Sequence, residues 1–208
     1  MTHSLKQSRL AWRRLLAPWC LAGVFLGGLG GAGLPAASAQ TTAPGALRPI
    51  ERLDLPRYLG TWYEVAKFPN RFQKKCVADT QAEYQSTPEG AVRVVNQCRL
   101  ADGSVDKAVG EARQIGAADS PRLQVRFAPA WLSFIPAVWG DYWVIDLDEG
   151  YQLAAVSEPR REYLWVLSRT PSVPVPAYEA LLKRLAAQGL DVGRLERSPH
   201  SGAPGSAP

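Results

Sequence analysis

The chain has 208 residues and a formal net charge of +5, from 24 Lys and Arg against 19 Asp and Glu. Four of those cations lie in the first 39 residues, which contain no acid, so the rest of the chain is close to neutral and its charge does not point to a nucleic-acid partner. The two histidines are His3 and His200, at the two ends of the chain, so we expect a folded body without histidine. That expectation excludes Ser/His/Asp catalysis, His-ligated metal and proximal-His haem, and no metal or other cofactor is predicted.

Residues 1–39 have the composition of a secretory signal peptide. Basic residues up to Arg14 precede an apolar, Gly-rich run, and Ala37-Ser38-Ala39 has the small-x-small pattern of a signal peptidase site. The apolar run is long enough for an uncleaved anchor, but its glycines, Pro18 and the cleavage site favour a signal peptide. We therefore predict cleavage after Ala39 and export of the remaining chain to the periplasm.

Two details of this leader leave the export route open. Arg13-Arg14 loosely resembles a twin-arginine signal, although an ordinary basic segment is the favoured explanation of the pair. Cys20 is not expected to carry a lipid, because Ala17-Pro18-Trp19 lacks the Leu-small-small approach of lipid-attachment sites. The leader is thus predicted to produce an exported protein without a lipid anchor.

Cys76 and Cys98 are the cysteines that follow the leader. In an oxidising compartment an isolated pair is most simply a disulfide, and a reactive thiol is disfavoured without a neighbouring histidine. The turn signal Pro88-Glu89-Gly90 places the two on neighbouring strands but not directly opposite, so the bridge requires a bulge or a diagonal link. Closing a loop of about 20 residues would stabilise the fold by roughly 3 kcal/mol.

After a linker over residues 40–52, short alternating runs rich in β-formers are separated by Gly, Pro, Asn and Asp. The predicted strands span residues 59–68, 77–87, 91–100, 104–115, 122–128, 141–148, 151–157 and 162–170. Such short links imply antiparallel neighbours in up-and-down order, and eight strands of this kind can close into an all-β barrel that holds packed side chains or one small ligand.

The hydrophobic period changes after the last strand. Apolar residues recur at helical spacing from Pro176 to Gln188, and Gly189 is a plausible stop. We predict one C-terminal helix packed on the outside of the barrel. Residues 198–208 are expected to be a disordered tail, which gives one domain over residues 53–197.

A family resemblance rests on three motifs in order. Gly60-Thr61-Trp62 opens the first strand, and Arg169 lies near the end of the eighth. On an eight-stranded chain followed by a helix, this resembles a lipocalin, whose first motif is Gly-x-Trp and whose third is an Arg that covers this Trp at the closed end of the barrel. The second motif, Thr-Asp-Tyr, is matched only loosely by Leu147-Asp148 and Tyr151. The resemblance runs from about Leu53 to Leu195.

Three segments narrow the resemblance to one branch. Residues 60–72 (Gly-Thr-Trp-Tyr-Glu-Val-Ala-Lys-Phe-Pro-Asn-Arg-Phe), 140–145 and 163–171 are similar to the bacterial outer-membrane lipocalin (Blc) and apolipoprotein D branch. The resemblance implies binding of fatty acids, lysophospholipids or similar molecules, and a role in transport or maintenance of envelope lipids near the outer membrane. Many bacterial members are lipoproteins, and this leader departs from that pattern.

The expected ligand site is the barrel interior. Alternation places Glu64, Ala66 and Phe68 on the face of Trp62, which points inward in the family. Glu64 would either orient a ligand head group or meet an inward polar partner, since a carboxylate in an apolar barrel is costly alone. Other positions predicted to face inward are Ala82, Val92, Val94, Leu123, Val144 and Val166. The predicted ligand-binding residues are Glu64, Ala66, Phe68, Tyr84, Val125, Phe127, Trp131, Phe134, Trp139 and Tyr142.

Residues 130–140 form an unusually apolar connection between the fifth and sixth strands, with Trp131, Phe134 and Trp139. Counted from Trp62, strand directions place this loop at the open end of the barrel. Two interpretations are open: an exposed lid, ligand rim or membrane-contacting surface, or a loop folded into the opening as core.

Three function classes follow. The first is a non-catalytic carrier of lipophilic molecules with possible peripheral contact with the membrane. The second is an enzyme on a lipophilic substrate, for which Glu64 with Tyr84 or Tyr142 is the candidate acid and base set. The third is a structural envelope protein that binds another protein through the apolar loop.

Overall fold

The computed structural model describes residues 45–201; the predicted signal peptide lies outside the described residues. Eight antiparallel strands form a closed barrel, and each predicted strand is confirmed to within two residues at either end. The strands are β1 (Gly60–Lys67), β2 (Ala78–Ser86), β3 (Val92–Arg99), β4 (Val105–Gln114), β5 (Arg122–Arg126), β6 (Gly140–Leu147), β7 (Leu153–Ser157) and β8 (Leu164–Ser168).

The barrel closes because β1 pairs with β8 along one edge and with β2 along the other. Sequential neighbours pair throughout, as short turns between antiparallel strands require. β1 starts at the end that we call the closed end, where Trp62 lies. The loops of residues 68–77, 100–104, 127–139 and 158–163 therefore lie at the opposite end, which we call the open end.

The closed end is covered by the short helix α1 (Leu55–Tyr58) and by Arg169. The Arg169 guanidinium carbon lies 4.0 Å from the centroid of the Trp62 ring, which is the contact that the resemblance implies. The same guanidinium donates to the carbonyl oxygens of Thr61 at 2.9 Å and Arg57 at 2.7 Å. One arginine thus joins α1, β1 and the end of β8.

The loosely matched second motif belongs to this same cover. Asp148 accepts backbone hydrogen bonds within the turn between β6 and β7, from Gln152 at 2.6 Å among others. The Tyr151 hydroxyl accepts from the Asp54 backbone N–H at 3.0 Å, and the Tyr151 carbonyl accepts from Arg169 Nε at 3.3 Å. All three motif regions therefore meet at the closed end.

Helix α2 (Val175–Ala187) packs on the outer wall of the barrel, as predicted. Leu181 and Leu185 are fully buried against the outward side chains of β1, β6, β7 and β8. Arg184 fixes the helix further through two hydrogen bonds to the Asp146 carboxylate, at 2.7 and 2.8 Å. Gly189 follows the helix with a φ of +79°, a conformation in which a side chain would be strained.

The C-terminal segment adds a ninth, short strand, β9 (Glu196–Arg197), to β1. Ser198 N–H donates to the Val65 carbonyl at 3.1 Å, and Asp79 N–H donates to the Pro199 carbonyl at 2.9 Å. The prediction that disorder begins at Ser198 is therefore wrong for residues 198–201. The physical reason is that β1 and β2 separate beyond Tyr63, and their free backbone groups bind this segment.

His200 ends this segment in a buried position, with 4% of its surface exposed. Its Nε2 lies 2.7 Å from the Glu64 carbonyl oxygen, and its ring meets that of Tyr63 edge-on. The expectation of a folded body without histidine is thus wrong, because the chain runs back onto the barrel beyond the last predicted element.

Part of the segment predicted as a linker also packs on the barrel. Ile50 N–H donates to the Val144 carbonyl at 2.9 Å, and Leu47 is buried in the cluster beneath α2. Residues 45–52 are therefore anchored to the domain rather than extended away from it.

The disulfide between Cys76 and Cys98 is confirmed, with Cα atoms 5.5 Å apart. The bulge that this bridge requires lies in β2 between Ala78 and Gln81. The bridge ties the loop between β1 and β2 to β3 at the open end.

Candidate ligand-binding site

The floor of the barrel is a row of three buried tyrosine hydroxyls from α1, β2 and β6. The Tyr142 hydroxyl lies 2.8 Å from that of Tyr58 and 2.9 Å from that of Tyr84. Burial raises the pKa of all three phenols, that of Tyr84 to about 12, so they stay neutral at physiological pH. Tyr84 and Tyr142 lie on the inward side, as predicted, and give the apolar interior one polar point at its base.

The wall of β4 is lined by small residues. The inward positions of this strand are Ala108, Gly110 and Ala112, and Ala112 packs in the interior cluster with Trp62. Ala108 is nevertheless exposed, which means that the barrel is open to solvent at this height. The larger Val109, between two of these residues, points outward with 54% of its surface exposed. Ala108 therefore leaves space on this wall that a larger side chain would fill, whereas the Phe127 ring covers Gly110 and Ala112 is packed among buried neighbours.

Val125 of β5 and Phe127 of the loop after it lie beside this row, on the neighbouring strand. Val125 pairs with Ala112 and packs against the interior cluster. Phe127 is 43% exposed, and a Cβ added at Gly110 would lie 2.7 Å from its ring. The absence of a side chain at Gly110 therefore allows the Phe127 ring to pack directly against β4. Both residues occupy the inward wall, where the sequence predicted them.

Three predicted inward positions are wrong, and a β-bulge in β1 accounts for two of them. Glu64 pairs with Leu167, but the next pair is Ala66 with Val166, so Val65 is an extra residue. Ala66 and Phe68 consequently face outward and pack in the cluster beneath α2. Their placement inside the barrel was wrong because strict alternation assumes an unbulged strand. Val166 belongs to the same outer cluster, because β8 alternates regularly with Trp165 and Leu167 on its inward side.

The same register turns Trp165 and Leu167 inward, two positions that were not among the predicted inward residues. Their inward orientation could have been predicted from Arg169, which contacts Trp62. Leu167 and Trp165 precede Arg169 by two and four positions, so alternation along the strand places them on the same face. Trp165 stacks on Tyr163 with 5.7 Å between ring centroids, and Phe72 follows at 5.5 Å from Tyr163. These rings extend the apolar wall to the rim of the open end.

Glu64 lies inside the barrel, buried, and meets polar partners. Its carboxylate accepts from Gln73 Nε2 and from the Ser198 hydroxyl, each at 2.5 Å. Burial raises the pKa of this carboxyl, while these two hydrogen bonds act in the opposite direction. This contact set supports the structural interpretation of Glu64, in which it fixes the loop between β1 and β2 and the C-terminal segment.

Trp131 and Phe134 project from the loop between β5 and β6 at the open end. They are 71% and 77% exposed, so the interpretation of this loop as core folded into the opening is wrong for both. Short 3₁₀ turns at Ala130–Leu132 and Pro136–Val138 hold the loop in place. Large exposed aromatic side chains at a barrel opening are typical of a surface that contacts a ligand or a membrane.

Trp139 does not belong to this surface. Its ring lies 4.0 Å from the guanidinium carbon of Arg113, an exposed residue on the outward side of β4. Its indole N–H donates to the Ser133 carbonyl at 2.8 Å. Trp139 thus packs the loop between β5 and β6 against the outer wall of the barrel. Its predicted role in lining the ligand site is not supported.

The candidate acid and base pair of an enzyme is not assembled. Glu64 bonds to Gln73 and Ser198, whereas the hydroxyls of Tyr84 and Tyr142 bond to each other. Within residues 45–201 there is no group of three or more His, Cys, Asp or Glu side chains that could hold a metal ion. In the same part of the chain, no helix is both long and apolar enough to cross a membrane.

Comparison with known proteins agrees with this geometry. Residues 53–200 match the family model described as "Lipocalin-like domain". The chain is 38% identical over 162 residues to temperature-induced lipocalin-1 of Arabidopsis thaliana, covering 74% of this chain and 83% of the relative. It is 35% identical over 162 residues to the outer membrane lipoprotein Blc of Escherichia coli (strain K12), covering 77% and 87%. Apolipoprotein D is also among the relatives, so the predicted branch is confirmed.

Solved structures share the fold at lower identity. Insecticyanin from the tobacco hornworm Manduca sexta superimposes with a TM-score of 0.58 at 18% identity, covering 75% of this chain and 85% of that one. At this identity the likeness concerns the barrel alone.

Proposed function

Because this chain belongs to the lipocalin family, which binds small hydrophobic ligands, we propose that it is a carrier of fatty acids, lysophospholipids or similar amphiphiles in the bacterial envelope. The observation that carries this proposal is the small, inward side chain of Ala108, which is open to solvent at the open end of the barrel. Each methylene of an acyl chain transferred from water to such a wall gains about 0.8 kcal/mol. A long chain thus suffices for micromolar affinity after the cost of ordering it.

We further propose that the protein acts in the periplasm with peripheral contact to a membrane. The relatives named outer membrane lipoprotein Blc support an envelope location. Exposed Trp131 and Phe134 at the open end provide an apolar surface through which a lipid could pass without crossing water. The predicted leader implies a mature protein that begins at Gln40 and therefore lacks Cys20, whereas a lipoprotein would begin at a lipid-carrying Cys20; intact-mass measurement of the purified protein distinguishes the two.

The proposal that the ligand lies inside the barrel is tested by a substitution that fills the interior. Ala108→Trp places an indole on the inward wall at the open end, and we expect it to abolish binding of a fluorescent fatty acid. Val109→Trp, one residue along on the outer wall, is the matched control and should bind as the unaltered protein does. Equal binding by both variants would contradict a ligand inside the barrel.

A second measurement identifies the cargo directly. Mass spectrometry of organic-solvent extracts of the protein purified from its native envelope should show one enriched class of single-chain lipid. Extracts without lipid, together with no binding of the fluorescent fatty acid, would contradict the carrier function.

A further inference from the structure

A polar cleft of about 410 Å³ lies at the open end, between the loop of residues 68–77 and β9. Its polar lining consists of Lys67, Asn70, Arg71, Gln73, Lys74 and Glu196. The cleft differs from the wall of β4 because most of its lining residues carry charged or amide side chains, whereas Ala and Gly line that wall.

The register of β1 places this cleft on the inward side of the rim. Lys67 pairs with Trp165 of β8 and with Glu196 of β9, and Trp165 packs against the interior cluster. The β-bulge at Val65 is what directs Lys67 inward, since Ala66 would take that side in a regular strand. The cleft therefore adjoins the entrance of the barrel rather than its outer surface.

The charges of the cleft are unbalanced in favour of cations. Lys67 Nζ lies 3.3 Å from Glu196 Oε2. In the part of the chain that the structure describes, Arg71 and Lys74 form no salt bridge. Three cations thus face one lining carboxylate, and two of the three are free to bind an anion.

Hydrogen bonds to buried side chains hold the loop that carries these cations in place. Gln73 Oε1 accepts from the Trp165 indole at 3.0 Å and from Asn70 Nδ2 at 2.6 Å, and Gln73 Nε2 donates to the buried Glu64. Cys76, bonded to Cys98, fixes the far side of the same loop. A site held by such contacts is organised before a ligand arrives, which lowers the entropy cost of binding.

We propose that this cleft binds the anionic head group, a carboxylate or a phosphate, of an amphiphile whose acyl chain enters the barrel. The assignment rests on the proposed carrier function and adds the head-group chemistry to it. The Arg71 guanidinium can take either group through two parallel hydrogen bonds, and the Lys74 ammonium adds a mobile positive charge. Glu196 competes with the ligand for Lys67.

The test compares three oleoyl probes that differ only in the head group: oleate, 1-oleoyl-lysophosphatidic acid and uncharged 1-oleoylglycerol. Their affinities are measured by displacement of a fluorescent fatty acid from the whole exported chain. Arg71→Gln/Lys74→Gln should lower the affinity for the two anions by about tenfold, as expected for two lost charge contacts, and leave oleoylglycerol within about twofold. A larger loss for lysophosphatidic acid than for oleate identifies phosphate as the preferred group.

Two single variants complete this test: one should raise the affinity for anions and the other should have no effect. Glu196→Gln removes the competing carboxylate and should raise the affinity for both anions. Lys75→Gln is the matched control, because Lys75 belongs to the same loop but pairs with Asp106 at 2.9 Å and does not line the cleft. It should leave all three affinities unchanged.

The outcomes separate this assignment from the carrier function. If all three probes bind and the double variant changes none of the ratios between them, the head-group site is wrong while the carrier function stands. If the double variant loses oleoylglycerol as strongly as oleate at an unchanged melting temperature, charge recognition is likewise contradicted. If no probe binds the unaltered protein, the carrier function itself fails.

Discussion

The two ends of the barrel use the same residue types in opposite ways. At the closed end Trp62 is fully buried beneath Arg169, whereas at the open end Trp131 is 71% exposed. Arg169 donates to several backbone carbonyls, while Arg71 lies on an exposed loop beside the cleft. The closed end thus contributes stability, and the open end retains apolar and cationic surface for a ligand. Substitutions at the first should change the free energy of unfolding, and those at the second should change affinity.

The largest expected effect contrasts the two tryptophans. Trp62→Ala removes a fully buried ring and should lower the free energy of unfolding by about 3–5 kcal/mol. Trp131→Ala should change it by less than about 0.5 kcal/mol, because the ring is mostly in solvent. Urea unfolding followed by circular dichroism measures both. Similar losses from the two variants would contradict the division between the ends.

The disulfide tests whether the open-end loop also contributes to stability. Cys76→Ala/Cys98→Ala releases a bridge with a sequence separation of 22 residues and should cost about 3 kcal/mol, chiefly through the unfolded state. Reductant should lower the stability of the unaltered protein by a similar amount and leave the double variant unchanged. A response of the double variant to reductant would show that the loss has another cause.

Two arginines lie at the same distance from a tryptophan ring but differ in burial, so substituting each of them shows how much burial adds to the stability of such a contact. The guanidinium carbons of Arg169 and Arg113 lie 4.0 Å from the rings of Trp62 and Trp139, respectively. Arg169→Lys loses several hydrogen bonds to carbonyls beside the ring contact, so we expect a loss of about 2 kcal/mol. Arg113→Lys on the exposed outer wall should cost less than about 0.5 kcal/mol. Equal losses in thermal or urea unfolding would mean that the backbone contacts of Arg169 contribute little.

At the open end the expected effect is on affinity. Trp131→Ser/Phe134→Ser should weaken binding of a fluorescent fatty acid by about tenfold, since each ring loses contact area with the acyl chain or its carrier membrane. The melting temperature should stay nearly constant because both rings are exposed. A strongly destabilised double variant would instead show that the loop is part of the core.

The smallest effect is a dependence on pH at Glu64. Burial raises the pKa of this carboxyl above its ordinary value of 4.5, so the folded protein binds the proton more tightly than the unfolded chain. The stability that this carboxyl contributes is fully present at pH values below its ordinary pKa, and it is lost as the pH rises through the raised pKa. The stability of Glu64→Gln relative to the unaltered protein should therefore increase from pH 4 upward and level off, as urea unfolding at several pH values would show. Glu89→Gln, on an exposed turn, should show no such rise.

Much of the fold could be predicted because its signals are local. Alternation and turn residues fix where the strands begin and end, and the motif order around Trp62 and Arg169 fixes their topology. The disulfide could be predicted from the cysteine count and the predicted export of the chain.

The ligand site could be predicted only in part, because its errors come from pairing between distant strands. One extra residue at Val65 reverses the facing of Ala66 and Phe68 and brings Lys67 to the cleft. On β4, alanines and a glycine face inward while valines face solvent, so hydrophobicity alone indicates the wrong side.

The sequence by itself therefore determined the strands, the disulfide and the family, since each depends on spacing along the chain. Only the tertiary structure decided which side chains line the barrel, that the C-terminal segment with His200 packs between β1 and β2, and that Trp131 and Phe134 stay exposed. The physical reason is that a side chain's environment depends on the register of its neighbours and on free backbone groups at strand edges, and both are set by residues far away in sequence.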